Sequence, residues 1–158
     1  MQSAYLDIIG LVERLHRQFL ELVKLELDTH SVHDINNVQA MILYNIGDLE
    51  MTVGELTLRG CYLGSNVSYN LKKMLENGYI VQERSSHDRR SVRVRLSEKG
   101  MDLHQKLKVM HDRHIASLGG VVQADDLGAA HQTLRRLERF WTHAVEMGAR
   151  ATAFPPAA

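Results

Sequence analysis

Residues 64–97, GSNVSYNLKKMLENGYIVQERSSHDRRSVRVRLS, carry the strongest local signals in the chain. In the first part of this stretch, apolar residues recur three and four positions apart, at Val67, Leu71, Met74 and Leu75. This is the spacing of one face of an α-helix. Ser65 is a suitable N-cap, and Gly78 is a suitable C-terminal stop. The stretch therefore predicts a helix that buries one face.

After this helix the period of the pattern changes from helical to two. Apolar and polar residues alternate from Tyr79 to Arg84 and again from Val92 to Leu96, which predicts two short strands. The segment between them, residues 85–91, has hydroxyl and aspartate side chains suited to a turn. It also places two arginines at the tip of the predicted hairpin.

A second helix is predicted just upstream. Thr52 and Glu55 have the spacing of a capping box, and residues 60–64 form a short glycine-bounded turn into the basic helix. Residues 49–51 are a candidate third strand beside the hairpin. Two short helices joined by a tight turn and followed by a basic hairpin form a winged helix-turn-helix, here predicted over residues 35–97.

The exposed side of the basic helix and the hairpin carry hydroxyl, amide and cationic groups that can reach base edges and phosphates. Guanidinium groups suit a narrow minor groove because they are weakly hydrated and the groove concentrates negative potential. The candidate DNA-contacting residues are Ser65, Asn66, Ser68, Tyr69, Lys72, Lys73, Arg84, Asp88, Arg89, Arg90 and Arg93.

The distribution of charge supports this prediction although the net charge of the chain is zero. Residues 1–50 contain three Lys or Arg against eight Asp or Glu, whereas residues 65–95 contain seven against three. Positive charge is therefore concentrated in the stretch already selected by its pattern, as expected of a phosphate-binding surface.

Composition limits the class of protein. With 158 residues, 44% of them hydrophobic, the chain is expected to form one compact, mainly helical unit. It lacks an apolar run of about 18 residues and a basic-then-apolar leader, so no membrane partner and a cytoplasmic location are expected. The single cysteine, Cys61, fits a reducing compartment. No nucleophile elbow, phosphate-cradling loop or metal-ligand motif is present, so we expect neither an enzyme nor a cofactor.

Long amphipathic helices are predicted at both ends of the chain, over residues 3–29 and 98–147, with a flexible tail at 149–158. They present more apolar surface than one small winged domain covers, which favours a homodimer. The predicted fold is thus mainly α with a small β wing, a winged helix-turn-helix between N- and C-terminal dimerisation helices.

This order of elements resembles the MarR family of bacterial transcription regulators. Residues 88–100, DRRSVRVRLSEKG, resemble that family's wing signature, D-x-R followed by V-x-L-[ST]-x-x-G, and residues 71–80 resemble the end of its recognition helix. The resemblance covers residues 5–147. It implies a repressor that binds a pseudo-palindromic promoter site as a homodimer, with Arg90 in the minor groove and Asp88 orienting it.

The resemblance also implies release from DNA by a small aromatic or anionic effector. Its expected location, between the dimerisation helices and the winged domain, suggests Phe19, Met41, Tyr44 and Asn45, which could equally be plain core residues. Two alternatives stay open: a zinc-responsive regulator of the same fold, suggested by nine histidines, and a winged-helix interaction module that does not bind DNA. Oxidant sensing by Cys61 is a further, weaker alternative.

Overall fold

The computed structural model describes residues 2–60, 64–84 and 92–153, with the main chain alone described at positions 60, 64, 65, 84 and 149–153. The elements are α1 Gln2–Thr29, α2 Asn37–Ile46, β1 Met51–Thr52, α3 Val53–Gly60, α4 Gly64–Glu76, β2 Ile80–Arg84, β3 Val92–Leu96, α5 Glu98–Leu118 and α6 Ala124–Ala153. They form two compact units, residues 1–111 and 112–158, divided within α5. Over the described part of the chain, no helix is long and apolar enough to cross a bilayer.

The first unit contains the predicted winged helix-turn-helix. Its antiparallel sheet has the order β1-β3-β2, with Met51 opposite Val94 and Ile80 opposite Leu96. A short third strand is therefore present, but it spans Met51–Thr52, whereas residues 49–51 were predicted. Alternation along β3 buries Val94 and Leu96 and leaves the two arginines between and before them exposed, as the period of two predicts.

One hydrophobic core holds this unit together. It takes Val23 and Leu27 from the C-terminal half of α1, and Leu56 from α3. From α4 it takes Val67, Leu71 and Met74, each at most 1% exposed. Leu75, which was also assigned to the buried face of α4, is 40% exposed, because one residue turns the helix by about 100° and carries this position from Met74 towards the solvent side.

Helix starts differ from the predictions at two places. Ser65 is not the N-cap of α4, because the helix begins at Gly64 and Ser65 is already inside it. The winged region predicted from residue 35 has its first helix start at Asn37, since the Asn36 side chain accepts from the Gln39 N–H at 2.8 Å and the Gln39 side chain accepts from the Asn36 N–H at 3.1 Å. This is a reciprocal capping box.

The second unit comprises the end of α5 and α6. The chain turns after Leu118, whose carbonyl accepts from the N–H groups of Val121 and Val122 at 2.8 and 3.0 Å. Helix α5 thus ends directly before Gly119 and Gly120. Helix α6 continues to Ala153, beyond the predicted end at Met147, so residues 149–153 are helical where a flexible tail was expected. Alanines at alternate positions favour this continuation, and the prolines at 155 and 156 follow it.

Candidate nucleic-acid interface

The outer face of α4 presents the polar side chains singled out by the sequence. Asn66, Ser68 and Lys72 are exposed, and the Tyr69 side chain is 62% exposed. These positions lie opposite the buried residues of the same helix, so the core fixes the helix while the outer face remains accessible. Hydroxyl, amide and ammonium groups on one helical face can contact base edges and phosphates in a major groove.

The two lysines of α4 have different surroundings. Lys73 Nζ lies 2.8 Å from Glu76 Oε2, and this hydrogen bond raises the pKa of Lys73 and lowers that of Glu76. Within the described residues, no carboxylate lies at ion-pair distance from Lys72. Lys72 is therefore the better placed of the two to meet a phosphate.

The start of α3 is fixed by the capping box that the sequence predicts. The Thr52 N–H and hydroxyl donate to Glu55 Oε2 at 2.6 and 2.9 Å, and the Glu55 N–H donates to Thr52 Oγ1 at 3.2 Å. The main-chain and then the side-chain hydrogen bond from Thr52 lower the pKa of Glu55. The Thr52 prediction is confirmed.

The end of α4 is a Schellman motif centred on Gly78. The Gly78 N–H donates to Leu75 O at 3.0 Å and the Tyr79 N–H to Met74 O at 2.9 Å. Gly78 has φ +76°, a left-handed conformation that favours glycine. Met74, near the end of α4, and Tyr79, directly before β2, are both buried in the core. The end of α4 and the first strand of the wing are therefore held against the same core.

On the wing, Arg93 and Arg95 lie on the exposed face of β3. Arg93 Nε lies 4.0 Å from Glu50 Oε1, and Arg95 donates to Glu83 Oε1 at 2.9 Å. The side chains of both ion pairs are about half exposed. Replacing the carboxylate partner of either arginine by a DNA phosphate therefore costs little free energy. Arg93 is thus exposed near the loop end of the two strands, opposite Glu83, and its contact with DNA stays a prediction.

Five of the predicted DNA-contacting side chains fall outside what the structure describes. Arg84 and Ser65 have a described main chain only, in β2 and α4. Asp88, Arg89 and Arg90 lie in residues 85–91, and their predicted roles stay predictions. Cys61 also lies outside the described residues.

A set of hydrogen bonds that connects the end of α4 to the start of α5, here called the joint, was not predicted from the sequence. Three successive main-chain carbonyls after α4 accept hydrogen bonds from residues at the start of α5. Asn77 O accepts from Lys99 Nζ at 2.9 Å. Gly78 O accepts from the Ser97 hydroxyl at 2.6 Å, and Tyr79 O accepts from the Ser97 N–H at 3.0 Å. The Ser97 hydroxyl also accepts from the Gly100 N–H at 3.1 Å, which confirms Ser97 as the N-cap of α5.

Asp34, in the loop before α2, completes this joint. Its Oδ1 accepts from the Tyr79 hydroxyl at 2.5 Å, its Oδ2 accepts from Lys99 Nζ at 2.6 Å, and its main-chain oxygen accepts from the Asn77 amide. The hydrogen bonds from Lys99 and then Tyr79 hold the pKa of Asp34 below its usual range. Burial, and then the hydrogen bond to Asp34, raise the pKa of Tyr79 well above its usual range, which keeps its hydroxyl a donor. No periodicity marks Asp34 in the sequence.

The predicted effector residues lie on one side of the core. Phe19, Met41 and Tyr44 are partly buried and pack against it, and Asn45 is half-buried beside them. Two imidazoles of α5 join this group: the rings of His104 and His111 lie 5.2 and 4.6 Å from the ring of Tyr44. His111 also lies 5.6 Å from Phe19. His104 and His111 are seven positions apart, which places them on one face of a helix, and this spacing was the sign of the pair that the sequence offered.

A separate groove of about 400 Å³ lies at the corner between α1 and α2, lined by residues that include Lys24, Asp28 and His33. It includes none of the four predicted effector residues. As for metal binding, the described residues contain no group of three or more His, Cys, Asp or Glu side chains that could hold an ion.

Known proteins share this architecture. A family model described as a winged helix DNA-binding domain matches residues 35–100. The exopolysaccharide II synthesis transcriptional activator ExpG of Rhizobium meliloti (strain 1021) is 41% identical over 145 residues, which cover 91% of this chain and 75% of that protein.

Solved structures share the fold at lower identity. FabT of Streptococcus pneumoniae in complex with DNA is similar with a TM-score of 0.72 at 20% identity, over 89% of this chain and 99% of that one. The reduced form of MarR from E. coli is similar with a TM-score of 0.62 at 19% identity, over 81% and 93% of the two chains.

Proposed function

Because the chain belongs to the MarR family of winged helix-turn-helix transcription regulators, we propose that it binds a pseudo-palindromic promoter site as a homodimer. It is a transcription regulator with a winged helix DNA-binding fold, not an enzyme. The observation that carries the proposal is the outer face of α4, where Asn66, Ser68, Tyr69 and Lys72 are exposed together while the opposite face is locked into the core.

In this proposal α4 lies in the major groove. Asn66, Ser68 and Tyr69 face base edges and Lys72 meets a phosphate, whereas Arg93, near the loop end of the wing strands, meets the DNA backbone. The predicted wing tip, with Arg89 and Arg90, enters the adjacent minor groove. Two chains related by a two-fold axis place two such helices about one helical turn apart on the duplex.

The test is selection of duplexes from a random library by the purified protein. We expect enrichment of a sequence with two inverted half-sites whose centres are separated by about 10–10.5 base pairs, or a multiple of that distance. Enrichment of a single unrepeated site would contradict dimeric recognition. No enrichment would contradict sequence-specific binding and favour an interaction module.

The homodimer is supported by apolar side chains left exposed on the long helices. In α1, Leu11, Leu15, Leu22 and Leu25 share one face and are 43–61% exposed. In α6, Leu127, Leu134 and Val145 share a face and are 43–71% exposed. Contiguous apolar stripes of this kind mark protein interfaces.

Replacement of one stripe residue tests the dimer directly. Leu15→Glu should shift the mass measured by sedimentation equilibrium from dimer to monomer, because a carboxylate would be buried without a partner. Leu58→Glu is a matched control, since Leu58 is 82% exposed on α3, outside the stripe. A wild-type chain that sediments as a monomer at micromolar concentration would contradict the proposal.

An effector site at Tyr44 extends the proposal. The half-buried rings of Phe19 and Tyr44 offer stacking surface, and His104 and His111 supply imidazoles that carry positive charge when protonated. Such a lining suits a small aromatic anion. Benzoate and hydroxybenzoates should raise the melting temperature of the wild type and weaken its DNA binding, and Tyr44→Ala should abolish both responses. Equal responses in the variant would place the site elsewhere.

The direction of regulation needs its own measurement. The family resemblance suggests repression, whereas the 41%-identical relative is named a transcriptional activator, which favours activation. A reporter fused to a promoter that contains the selected site distinguishes the two. Expression that falls when the regulator is deleted indicates an activator, and expression that rises indicates a repressor.

A further inference from the structure

We propose that Asp34 is a positioning residue for DNA recognition, which holds the end of helix α4 and the start of helix α5 in a fixed relationship. The inference rests on the proposed function, because it concerns how α4 is held for the duplex. Asp34 belongs to none of the elements expected to touch DNA, since it lies in the loop between α1 and α2.

The geometry around Asp34 is a three-way connection. One carboxylate oxygen binds the Tyr79 hydroxyl, which follows α4, and the other binds Lys99, in the first turn of α5. The Asn77 amide binds the main-chain oxygen of Asp34. Lys99 returns to α4 through Asn77 O at 2.9 Å and lies 4.2 Å from the centre of the Tyr79 ring. Each of the three segments is therefore bonded to both of the others.

The solvent exposure of the ion pair between Asp34 and Lys99 indicates that it positions α4 more than it stabilises the fold. The side chains of Lys99 and Asp34 are 48% and 49% exposed, and ion pairs at such positions add little to the free energy of unfolding. Their hydrogen bonds nevertheless select one orientation of the helix end relative to the α1–α2 loop. Since base contacts depend on the placement of α4 within fractions of an ångström, loss of this restraint affects recognition more than folding.

The connection also joins α4 to α1, which carries part of the proposed dimer contacts, and to α5. Asp34 follows α1 by a few residues, and Lys99 lies in the first turn of α5. A shift of either helix would reach α4 through the same three side chains. Asp34 thus lies on the path by which a movement of α1 or α5 would reach α4.

The test compares two variants with the same change of charge. Asp34→Asn removes the carboxylate of the joint, and Asp28→Asn removes an exposed carboxylate of α1 that lies 3.8 Å from His33. For each, affinities for the selected duplex and for random DNA of equal length are measured well below the melting temperature. Asp34→Asn should lower the ratio of the two affinities about tenfold, with affinity for random DNA and the salt slope unchanged. Asp28→Asn should behave as the wild type.

A purely structural role predicts a different pattern, because partial unfolding lowers both affinities by the same factor. An unchanged ratio for Asp34→Asn would overturn the inference, and so would a parallel loss of both affinities. If Asp34→Asn does not fold, Tyr79→Phe replaces it, since this change removes only the hydroxyl that donates to Asp34. It should lower the ratio by a smaller factor, and a folded Tyr79→Phe with an unchanged ratio would overturn the inference.

The wild type separates the two proposals. A wild-type chain that does not distinguish the selected duplex from random DNA would overturn the proposed function and this inference together. A wild-type chain that distinguishes them, beside an Asp34→Asn variant that distinguishes them equally well, would overturn the positioning role alone.

Discussion

Gly100, in the first turn of α5, lies directly against the main-chain carbonyl of Tyr79, and a Cβ at position 100 would overlap that oxygen. The glycine in the wing signature is therefore required by close packing of two backbones, not by its own conformational freedom. This contact brings α5 close enough for Ser97 and Lys99 to bond the three carbonyls that follow α4.

Replacement of Gly100 should destabilise the protein. Gly100→Ala places a methyl group against the Tyr79 carbonyl, which the Ser97 N–H holds at 3.0 Å, at a cost of about 1–3 kcal/mol, or a melting temperature lower by roughly 3–10 °C. Gly128→Ala is the matched control, because Gly128 is helical and has open space around it. It should stabilise by about 0.4–1 kcal/mol. Equal melting temperatures for the two variants would contradict the packing described.

The pH dependence of stability should reveal Asp34. Because Lys99 and Tyr79 lower its pKa in the folded state, Asp34 stabilises the fold above its unfolded value of 3.8 and loses this effect as pH falls through the lower, folded value. The wild type should exceed Asp34→Asn in stability at pH 6 by no more than about 1 kcal/mol, since the pair is half exposed. Urea unfolding at pH 6 and pH 2 measures the difference, which should be smaller at the lower pH. A stability difference between wild type and Asp34→Asn that grows as the pH falls would show that Lys99 and Tyr79 do not lower the pKa of Asp34.

The capping box of α3 should contribute measurably. Thr52→Ala removes the oxygen that accepts the Glu55 N–H and is expected to cost about 1 kcal/mol. Thr52→Ser retains the hydroxyl and should lose much less. Chemical denaturation of the two variants gives the comparison, and equal losses would show that the methyl group, not the cap, matters at this position.

Lys72 should contribute one phosphate contact. Lys72→Ala is expected to weaken binding to all DNA sequences alike and to reduce the slope of log affinity against log salt by about one unit. Lys24→Ala, on α1, has the same charge change and should leave the slope unchanged. An unaltered slope for Lys72→Ala would remove this lysine from the contact surface.

Arg90 should matter for binding and not for folding. Arg90→Ala is expected to weaken binding to the selected duplex about tenfold or more, with an unchanged melting temperature. Arg17→Ala, on α1, serves as the control for loss of one positive charge. A lower melting temperature with unaltered affinity would refute the minor-groove role.

Features governed by neighbouring residues were predictable from sequence. The capping box at Thr52, the alternation in β3 and the glycine at the end of α4 each depend on residues a few positions apart. The joint at Asp34 was not predictable, because its partners lie 45 and 65 positions away and no repeating pattern connects them. The same holds for the imidazoles beside Tyr44: their spacing on α5 was visible, but only packing of α2 against α5 explains their place.

The most direct test of the central claim, sequence-specific recognition of DNA, is a fluorescence anisotropy titration. The purified wild-type chain is titrated with the intergenic DNA upstream of its own gene and with random DNA of equal length, at two salt concentrations. We predict binding to the upstream fragment at least about a thousandfold tighter than to random DNA at the higher salt. Equal, strongly salt-dependent binding to both duplexes, or binding to neither, would contradict the account.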